Sequence, residues 1–143
     1  MIDLTRLPDW RARLDDYLDS IEGRPFAWGE LDCALFAADA VQAITGVDLA
    51  ADFRGKYSDQ AGAEAAVKSA GFEDYASLVA SMLPAVEIGR HMIGDVAVVE
   101  SAEFGPCLAI VGGMHVTCMT LRGKGSLPLA RASRIFRVGE ERL

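Results

Sequence analysis

Pro84 divides the sequence into two halves of different character, and this division constrains the fold more than any other feature. Before Pro84, apolar residues recur every three to four positions, which is the period of an amphipathic helix. After it, the short β-rich runs GDVAVVE, CLAIVG, HVTCMT and RIFRV are separated by glycine or proline, which is typical of strands. Helices followed by strands predict an α+β fold, with N-terminal helices packed on a small antiparallel sheet.

Four helices are expected in the first half. The first helical run stops at Gly23, and the second begins after Asp32, which can cap it, and ends at Gly46. The stretches DQAGAEAAVKSAG and EDYASLVASML predict two shorter helices separated by Gly71. No linker-like or low-complexity stretch interrupts the chain, so residues 1–143 are expected to form a single domain.

The charge balance narrows the range of partners. Fourteen basic and 21 acidic residues give a formal charge of −7, which argues against binding to nucleic acid or to an anionic membrane surface. No apolar stretch approaches the ~18 residues that span a bilayer, and the start MIDLTRLPDW lacks the pattern of a secretory signal. We therefore expect a protein made in the cytoplasm, with no membrane insertion.

The three cysteines, Cys33, Cys107 and Cys118, have neither CxxC nor Cys/His ligand spacing. This pattern indicates no disulfide framework and no metal site, so free thiols are expected. No cofactor is expected either, since VGGM lacks the helix and lysine of a phosphate-binding loop. If a hairpin turns at Gly112-Gly113, Cys107 and Cys118 lie opposite each other on one face of the sheet.

Cys33 is the first candidate for chemistry. The stretch PFAWGELDCALFAADAV puts it in the first turn of the second helix, where unpaired N–H groups and the helix dipole favour a thiolate. This position suits a nucleophile, and we expect Cys33 to be the most reactive thiol, at a helix mouth that is open to solvent. The alternative is a small core residue, because cysteine is among the most buried residue types. The spacing alone leaves both open.

The order of several motifs resembles the NlpC-type cell-wall peptidases, a papain-like superfamily. Their W-G-x-x-D-C segment is similar to WGELDCALFAADAV, and their Gly-Asp before the first core strand is similar to GDVAVV. The chain resembles even more closely an NlpC-related family of phage and prophage tail proteins, through TGVDLAADFRGKY and RIFRVG, over residues 8–139. The resemblance implies a papain-like (NlpC-type) fold, with Cys33 at the nucleophile position and Asp95 at the Gly-Asp strand start.

The resemblance also identifies a missing base. In active NlpC-type enzymes the strand after the Gly-Asp strand opens with the catalytic histidine, but the corresponding run here is CLAIVGG, which begins with Cys107. A thiol has an ordinary pKa of about 8.5 and cannot replace imidazole at neutral pH. His115 either faces away from Cys107 or lies roughly 13 Å along the strand, depending on the loop length. His91, in EIGRHMIGD, is a substitute only if its loop folds over the helix mouth.

Four residues are candidates for a binding groove beside Cys33. Trp28 and Asp32 belong to the same turn as the cysteine, and Arg24 and Arg54 are the nearby basic residues considered. Each of them also suits a solvated or packing position, so the pattern alone does not assign a ligand. Asp95 is a further candidate through the resemblance.

Two function classes remain. The first is a structural protein of the phage tail tip or baseplate, which assembles with tail hub and distal tail proteins and keeps a peptidase fold that has lost its base. The second is a cell-wall peptidase or amidase that cleaves peptidoglycan during host entry through a Cys33 thioacyl intermediate. A bacterial thiol amidase unrelated to phage has only Cys33 in its favour. We expect the structural role, at the virion tail tip after synthesis in the host cytoplasm.

Overall fold

The structure is a computed structural model that describes residues 1–103 and 105–141. Its helices are α1 (Trp10–Ser20), α2 (Cys33–Thr45), α3 (Gln60–Ser69) and α4 (Tyr75–Met82). Its strands are β1 (Thr5–Arg6), β2 (Ala85–Val86), β3 (Val96–Ser101), β4 (Gly105–Val111), β5 (His115–Thr120), β6 (Gly123–Pro128), β7 (Ala132–Phe136) and β8 (Glu140–Glu141). None of these helices is long and apolar enough to cross a membrane. The predicted α+β class is confirmed.

Three of the helices begin at aspartate caps. Asp32 has an extended backbone, and its Oδ1 accepts a hydrogen bond from the Leu35 amide at 2.9 Å. Asp59 and Asp74 cap α3 and α4 in the same way. α2 ends at Gly46, whose φ of 82° is the left-handed conformation that glycine adopts most easily. The predicted start and end of α2 are therefore confirmed.

Six strands form an antiparallel sheet in the order β2-β7-β3-β4-β5-β6, and β1 and β8 form a separate parallel pair. The strand β6, with the sequence GKGSLP, was not predicted because glycine and proline have low β-propensity. It nevertheless pairs with β5 along its full length, from His115 with Pro128 to Thr120 with Gly123. Pairing with its neighbour, rather than its own composition, makes this segment a strand.

The β4–β5 hairpin turns one residue later than expected. Val111 pairs with Val116, and the Gly112 amide donates to the His115 carbonyl at 2.9 Å. The two-residue loop is therefore Gly113-Met114, in which Gly113 has a φ of 102°. The prediction of a Gly112-Gly113 turn is wrong.

The later turn changes how two cysteines meet. Continuing the hairpin register places Cys118 beside Ala109, so Cys107 lies diagonally to Cys118 rather than directly opposite. Both cysteines still belong to one buried cluster, which confirms that they share a face of the sheet.

The two faces of the sheet bury different groups of residues. One face packs on the helices through Val96, Val98, Leu108, Ile110, Met119 and Phe136. The other gathers Ala97, Val99, Cys107, Ala109, Val116, Cys118 and Ile135. Cys33 belongs to this second cluster, whereas Phe36, Ala37 and Ile44 of the same helix pack in the first. The first turn of α2 therefore reaches the part of the sheet that holds the other two thiols.

Asp95, just before β3, is fully buried and holds the fold together. Its Oδ1 accepts from Arg6 Nη2 at 3.1 Å and the Val138 amide at 3.0 Å. Its Oδ2 accepts from the Met92 amide at 2.8 Å and Arg137 Nε at 3.2 Å. Burial lowers the pKa of the Arg6 guanidinium, and the Asp95 charge opposes that effect. With four internal donors and an exposed fraction of 0 %, this carboxylate is occupied within the protein, which corrects its prediction as a binding residue.

Candidate functional site

A buried carboxylate fixes the turn before Cys33. Asp32 has an exposed fraction of 0 %. Its Oδ1 caps α2, and its Oδ2 accepts from the Gly29 amide at 3.0 Å and from the Tyr57 hydroxyl at 2.6 Å. Burial, followed by this hydrogen bond, raises the pKa of Tyr57, so the phenol keeps its proton and donates it. Asp32 therefore positions Cys33 from inside the protein, which corrects its prediction as a groove residue.

The glycine of the WGELDC segment is required by close backbone packing. Gly29 has a φ of 80°, and a Cβ added there would overlap the Tyr57 carbonyl oxygen. Its own carbonyl accepts from the Gly55 amide at 3.0 Å. The FRGKY segment therefore lies directly against the turn that carries Cys33.

The structure brings Cys107 to Cys33. Both cysteines pack in the second buried cluster, and the interaction of the Cys107 thiol with Cys33, followed by burial, raises the pKa of Cys107. The third thiol, Cys118, also has a raised pKa, mainly because of burial. At neutral pH Cys107 therefore remains a protonated thiol, and its Sγ donates to the Leu108 carbonyl at 3.7 Å.

The burial of the thiols departs from expectation. The exposed fractions of Cys33, Cys107 and Cys118 are 0 %, 2 % and 4 %, and all three are free. The prediction of free thiols is confirmed, but the open helix mouth is wrong, because Cys33 packs within the second cluster. Within residues 1–103 and 105–141, no group of three His, Cys, Asp or Glu side chains has the arrangement of a metal site.

A cavity nevertheless reaches Cys33. It has a volume of about 280 Å³, and besides the cysteine its lining includes Trp28, Gln60, Glu64, Lys68, Glu73, Asp74, Tyr75 and Pro106. The ring of Trp28 packs edge-to-face on Phe26, with the centroids 4.9 Å apart. The expectation that Trp28 lies beside Cys33 is therefore confirmed. The polar walls include three carboxylates and one lysine.

Two tyrosines of this site were missed by the sequence reasoning. Tyr75 begins α4, and burial, followed by the proximity of Cys33, raises its pKa. Nothing in the helical pattern of EDYASLVASML connects this residue to Cys33, because the connection depends on how α4 packs. Tyr57 lay within a segment used for the family resemblance, but no motif indicated its bond to Asp32.

His91 is not brought to the thiols. Its Nδ1 accepts from the Gly89 amide at 3.1 Å, in the loop before β3. Cys107 pairs with Val99, which lies four residues, roughly 13 Å, along the strand from Asp95. His91 precedes Asp95 and does not line the described cavities at Cys33 and Cys107, so these contacts do not support it as a substitute for the missing base.

His115 lies on the other side of the sheet. It is exposed and lines a groove together with Asp15 and Asp19 of α1. Thr117, two residues along β5, lines the same groove, whereas Cys118 points into the second cluster. The prediction that His115 faces away from Cys107 is confirmed.

Arg54 is part of an ion-pair network instead of the cavity wall. It donates to both oxygens of Asp48, at 2.9 and 3.0 Å, and lies 2.7 Å from Asp39 Oδ1. Asp39 also accepts from the Tyr17 hydroxyl at 2.7 Å. Arg24 is exposed and is not among the cavity residues. Both arginines were groove candidates, and the structure corrects both predictions.

The chain matches the model of a family described as a domain of unknown function, DUF6950, over residues 5–138. This match covers more than half of the chain, which therefore belongs to that family. A comparison with curated proteins gave no match.

Proposed function

We propose that this member of the DUF6950 family has a papain-like, NlpC-type fold with a degenerate hydrolase site. We further propose that it is a structural protein of a phage tail tip or baseplate, made in the host cytoplasm and assembled with tail hub and distal tail proteins. The observation that carries the loss of chemistry is that Cys107, a thiol, packs with Cys33 in the second buried cluster, at the place where the resemblance implies an imidazole. The tail role rests on the sequence resemblance over residues 8–139.

The order of elements supports the papain-like part of the proposal. Cys33 begins a helix that packs on an antiparallel sheet, and Gly94 and Asp95 immediately precede β3. The next strand, β4, carries Cys107. This is the arrangement that the NlpC resemblance implies, with a thiol in place of the histidine.

The chemistry of the pair supports inactivity. Thiol-dependent acyl transfer needs a group that takes the proton of the nucleophile and later protonates the leaving amine, which one imidazole ordinarily does. The pKa of Cys107 is raised by its interaction with Cys33 and by burial, so it holds its own proton at neutral pH. A general acid–base role is commonly worth ~10² to 10⁴ in rate, and turnover without it is expected to be slow.

A second candidate function is an active peptidoglycan peptidase or amidase with Cys33 as nucleophile. The observation in its favour is the cavity of about 280 Å³ beside Cys33, which leaves room for part of a peptide. For this second function, a group other than histidine would accept the proton of the Cys33 thiol.

Peptidoglycan digestion by a set of purified variants distinguishes the two candidates. We expect no difference between the wild type and Cys33→Ala, and a gain of cleavage in Cys107→His that a second Cys33→Ala change removes. Cys118→His is the matched control, since both cysteines line one cavity of about 240 Å³. Digestion by the wild type that Cys33→Ala abolishes would instead support the active enzyme.

The tail role has its own test. An antibody to the chain should detect it in purified particles, and deletion of its gene should stop tail assembly. Particles that carry Cys33→Ala should assemble and infect normally. Complete, infectious particles without the chain would contradict the structural role, whatever the digestion assay shows.

A further inference from the structure

Two buried thiols in contact have a chemistry of their own, separate from hydrolysis. Cys33 starts α2 and Cys107 lies within β4, and the interaction with Cys33 is the largest cause of the raised Cys107 pKa. Both belong to the second buried cluster. Neighbouring thiols whose side chains already touch can be joined as a disulfide with little chain movement.

We propose that Cys33 and Cys107 form an oxidisable dithiol, in which Cys33 reacts first with a hydroperoxide and Cys107 then closes the disulfide. These roles follow from the two cavities, because each of them is lined by a different cysteine of the pair. Cys33 lines the cavity of about 280 Å³ together with Pro106, the residue before Cys107. Cys107 instead lines the separate cavity of about 240 Å³ with Cys118. A small oxidant that enters the larger cavity therefore approaches the pair from the Cys33 side, and it reaches the fully buried Cys33 sulfur when this wall of the cavity opens locally.

The reaction balances with hydrogen peroxide as the oxidant. The Cys33 sulfur attacks one peroxide oxygen and the O–O bond breaks, which gives a sulfenic acid on Cys33, while the other oxygen leaves as water with the thiol proton. The Cys107 sulfur then attacks the Cys33 sulfur. The S–S bond forms, the S–O bond breaks, and the hydroxyl group leaves as a second water with the Cys107 proton. Two thiols are oxidised and one peroxide is reduced.

Cys118 is the alternative partner, and its position argues against that role. Because the hairpin turns at Gly113-Met114, Cys118 is diagonal to Cys107 and neighbours Ala109 in the continued register. The pKa of Cys118 is raised mainly by burial, whereas that of Cys107 is raised mainly by its interaction with Cys33. Cys107 is the thiol in direct contact with Cys33, so it is the one that resolves the sulfenic acid.

This inference goes beyond the proposed function, because it uses the thiols without any hydrolysis. The disulfide would join α2 to β4 covalently and would remove the Cys33 thiol while it persists. Its test is independent of phage assembly and of peptidoglycan digestion, so neither result decides the other.

The test is thiol counting and disulfide mapping after the folded, reduced protein is treated with hydrogen peroxide. No Lys or Arg lies in residues 91–121, so trypsin leaves Cys107 and Cys118 in one peptide, and chymotryptic cleavage after Leu108 separates them. In the wild type we expect the free thiols to fall from three to one, with a Cys33–Cys107 disulfide that dithiothreitol reverses. This measurement needs no variant.

Two matched variants sharpen the assignment. Cys118→Ser should still form the disulfide and lose both of its thiols, whereas Cys107→Ser should stop at a Cys33 sulfenic acid that dimedone traps. A disulfide that includes Cys118 in the wild type would overturn the proposal. A Cys33 that stays fully alkylatable after peroxide treatment, once the protein has been unfolded, would overturn it as well.

Discussion

Asp32 and Asp95 are both fully buried carboxylates that immediately precede a main element, but the protein satisfies them differently. Asp32 receives neutral donors, two amides and the Tyr57 hydroxyl, from residues at most 25 positions away. Asp95 receives two arginines and two amides, and Arg6 is 89 positions away. The first carboxylate shapes one turn of the site, whereas the second joins distant parts of the chain.

This difference predicts a large, global effect for one aspartate and a smaller, local one for the other. Loss of the Asp95 charge leaves an arginine buried without its counter-ion, while loss of the Asp32 charge removes only hydrogen bonds from neutral donors. Effects that depend on Asp32 should concentrate at Cys33, which follows it in the first turn of α2.

The largest effect is expected from Asp95→Asn. The Arg6 side chain is fully buried beside Asp95, and breaking a buried ion pair commonly costs about 3–5 kcal/mol in the free energy of unfolding. Urea denaturation should show this loss across the whole unfolding transition. A cost below about 1 kcal/mol would mean that the bonds Arg6 already donates to the Val138 and Ile93 carbonyls are enough to compensate for the lost charge of Asp95.

Asp32→Asn tests the other side of the comparison with the same isosteric change. The asparagine keeps one acceptor oxygen, but its NH₂ group faces the N–H or O–H donors that the second carboxylate oxygen bound. We therefore expect the free energy of unfolding to fall by about 2–3 kcal/mol. Native-state alkylation of Cys33 should also become faster, because the turn that covers it loosens. If Asp32→Asn lowers the free energy of unfolding as much as Asp95→Asn does, the distinction between a carboxylate that acts locally and one that stabilises the whole fold is wrong.

These two aspartates also show which contacts can be predicted from the sequence and which cannot. An aspartate before an apolar helical run predicts a cap directly, because the cap and the amide that it binds are three residues apart. No such local signal links Asp95 to Arg6. The GKGSLP strand and the contact of Tyr75 with the Cys33 cavity are non-local in the same way, since they depend on pairing and packing rather than on composition.

The pair of Cys33 and Cys107 was predictable only through the family resemblance, which aligned Cys107 with a base position. The residue pattern alone predicted Cys107 and Cys118 as the neighbouring pair of cysteines, because both lie in one hairpin. A one-residue difference in the turn was enough to make these two diagonal. The candidate site could therefore be predicted at Cys33, Cys107 and Trp28, while its tyrosines and its charged wall required the structure.

Tyr57→Phe isolates one donor to Asp32 and should have a smaller effect than Asp32→Asn. The hydroxyl donates at 2.6 Å to Asp32, and removing one hydrogen bond to a charged group should lower the free energy of unfolding by about 1–2 kcal/mol. Cys33 alkylation should rise by less than it does in Asp32→Asn. Tyr17→Phe is the matched control, because that hydroxyl donates to Asp39, outside the cavity; equal acceleration in both variants would contradict a local role for Asp32.

The smallest effect extends the comparison to Asp48, a carboxylate that is 23 % exposed and paired with Arg54. The hydrogen bond from Arg54 holds the pKa of Asp48 below its ordinary value. A lowered pKa in the folded state adds stability above the ordinary value of about 4, and this gain is lost as the pH falls through the folded-state pKa. Asp48→Asn should therefore lower the free energy of unfolding by about 0.5–1 kcal/mol near pH 7, and by progressively less below about pH 4.

Denaturant titrations of the wild type and Asp48→Asn at several pH values measure this gap. Asp3→Asn, at an exposed position, is the matched control, and its difference from the wild type should stay close to zero throughout. A gap for Asp48→Asn that widens as the pH falls would have the wrong sign for a carboxylate stabilised in its charged form. A gap that closes on acidification is the expected result for a carboxylate stabilised in its charged form. The gap near pH 7 should be smaller than the losses for Asp32→Asn and Asp95→Asn, because water already screens much of the attraction between Asp48 and Arg54.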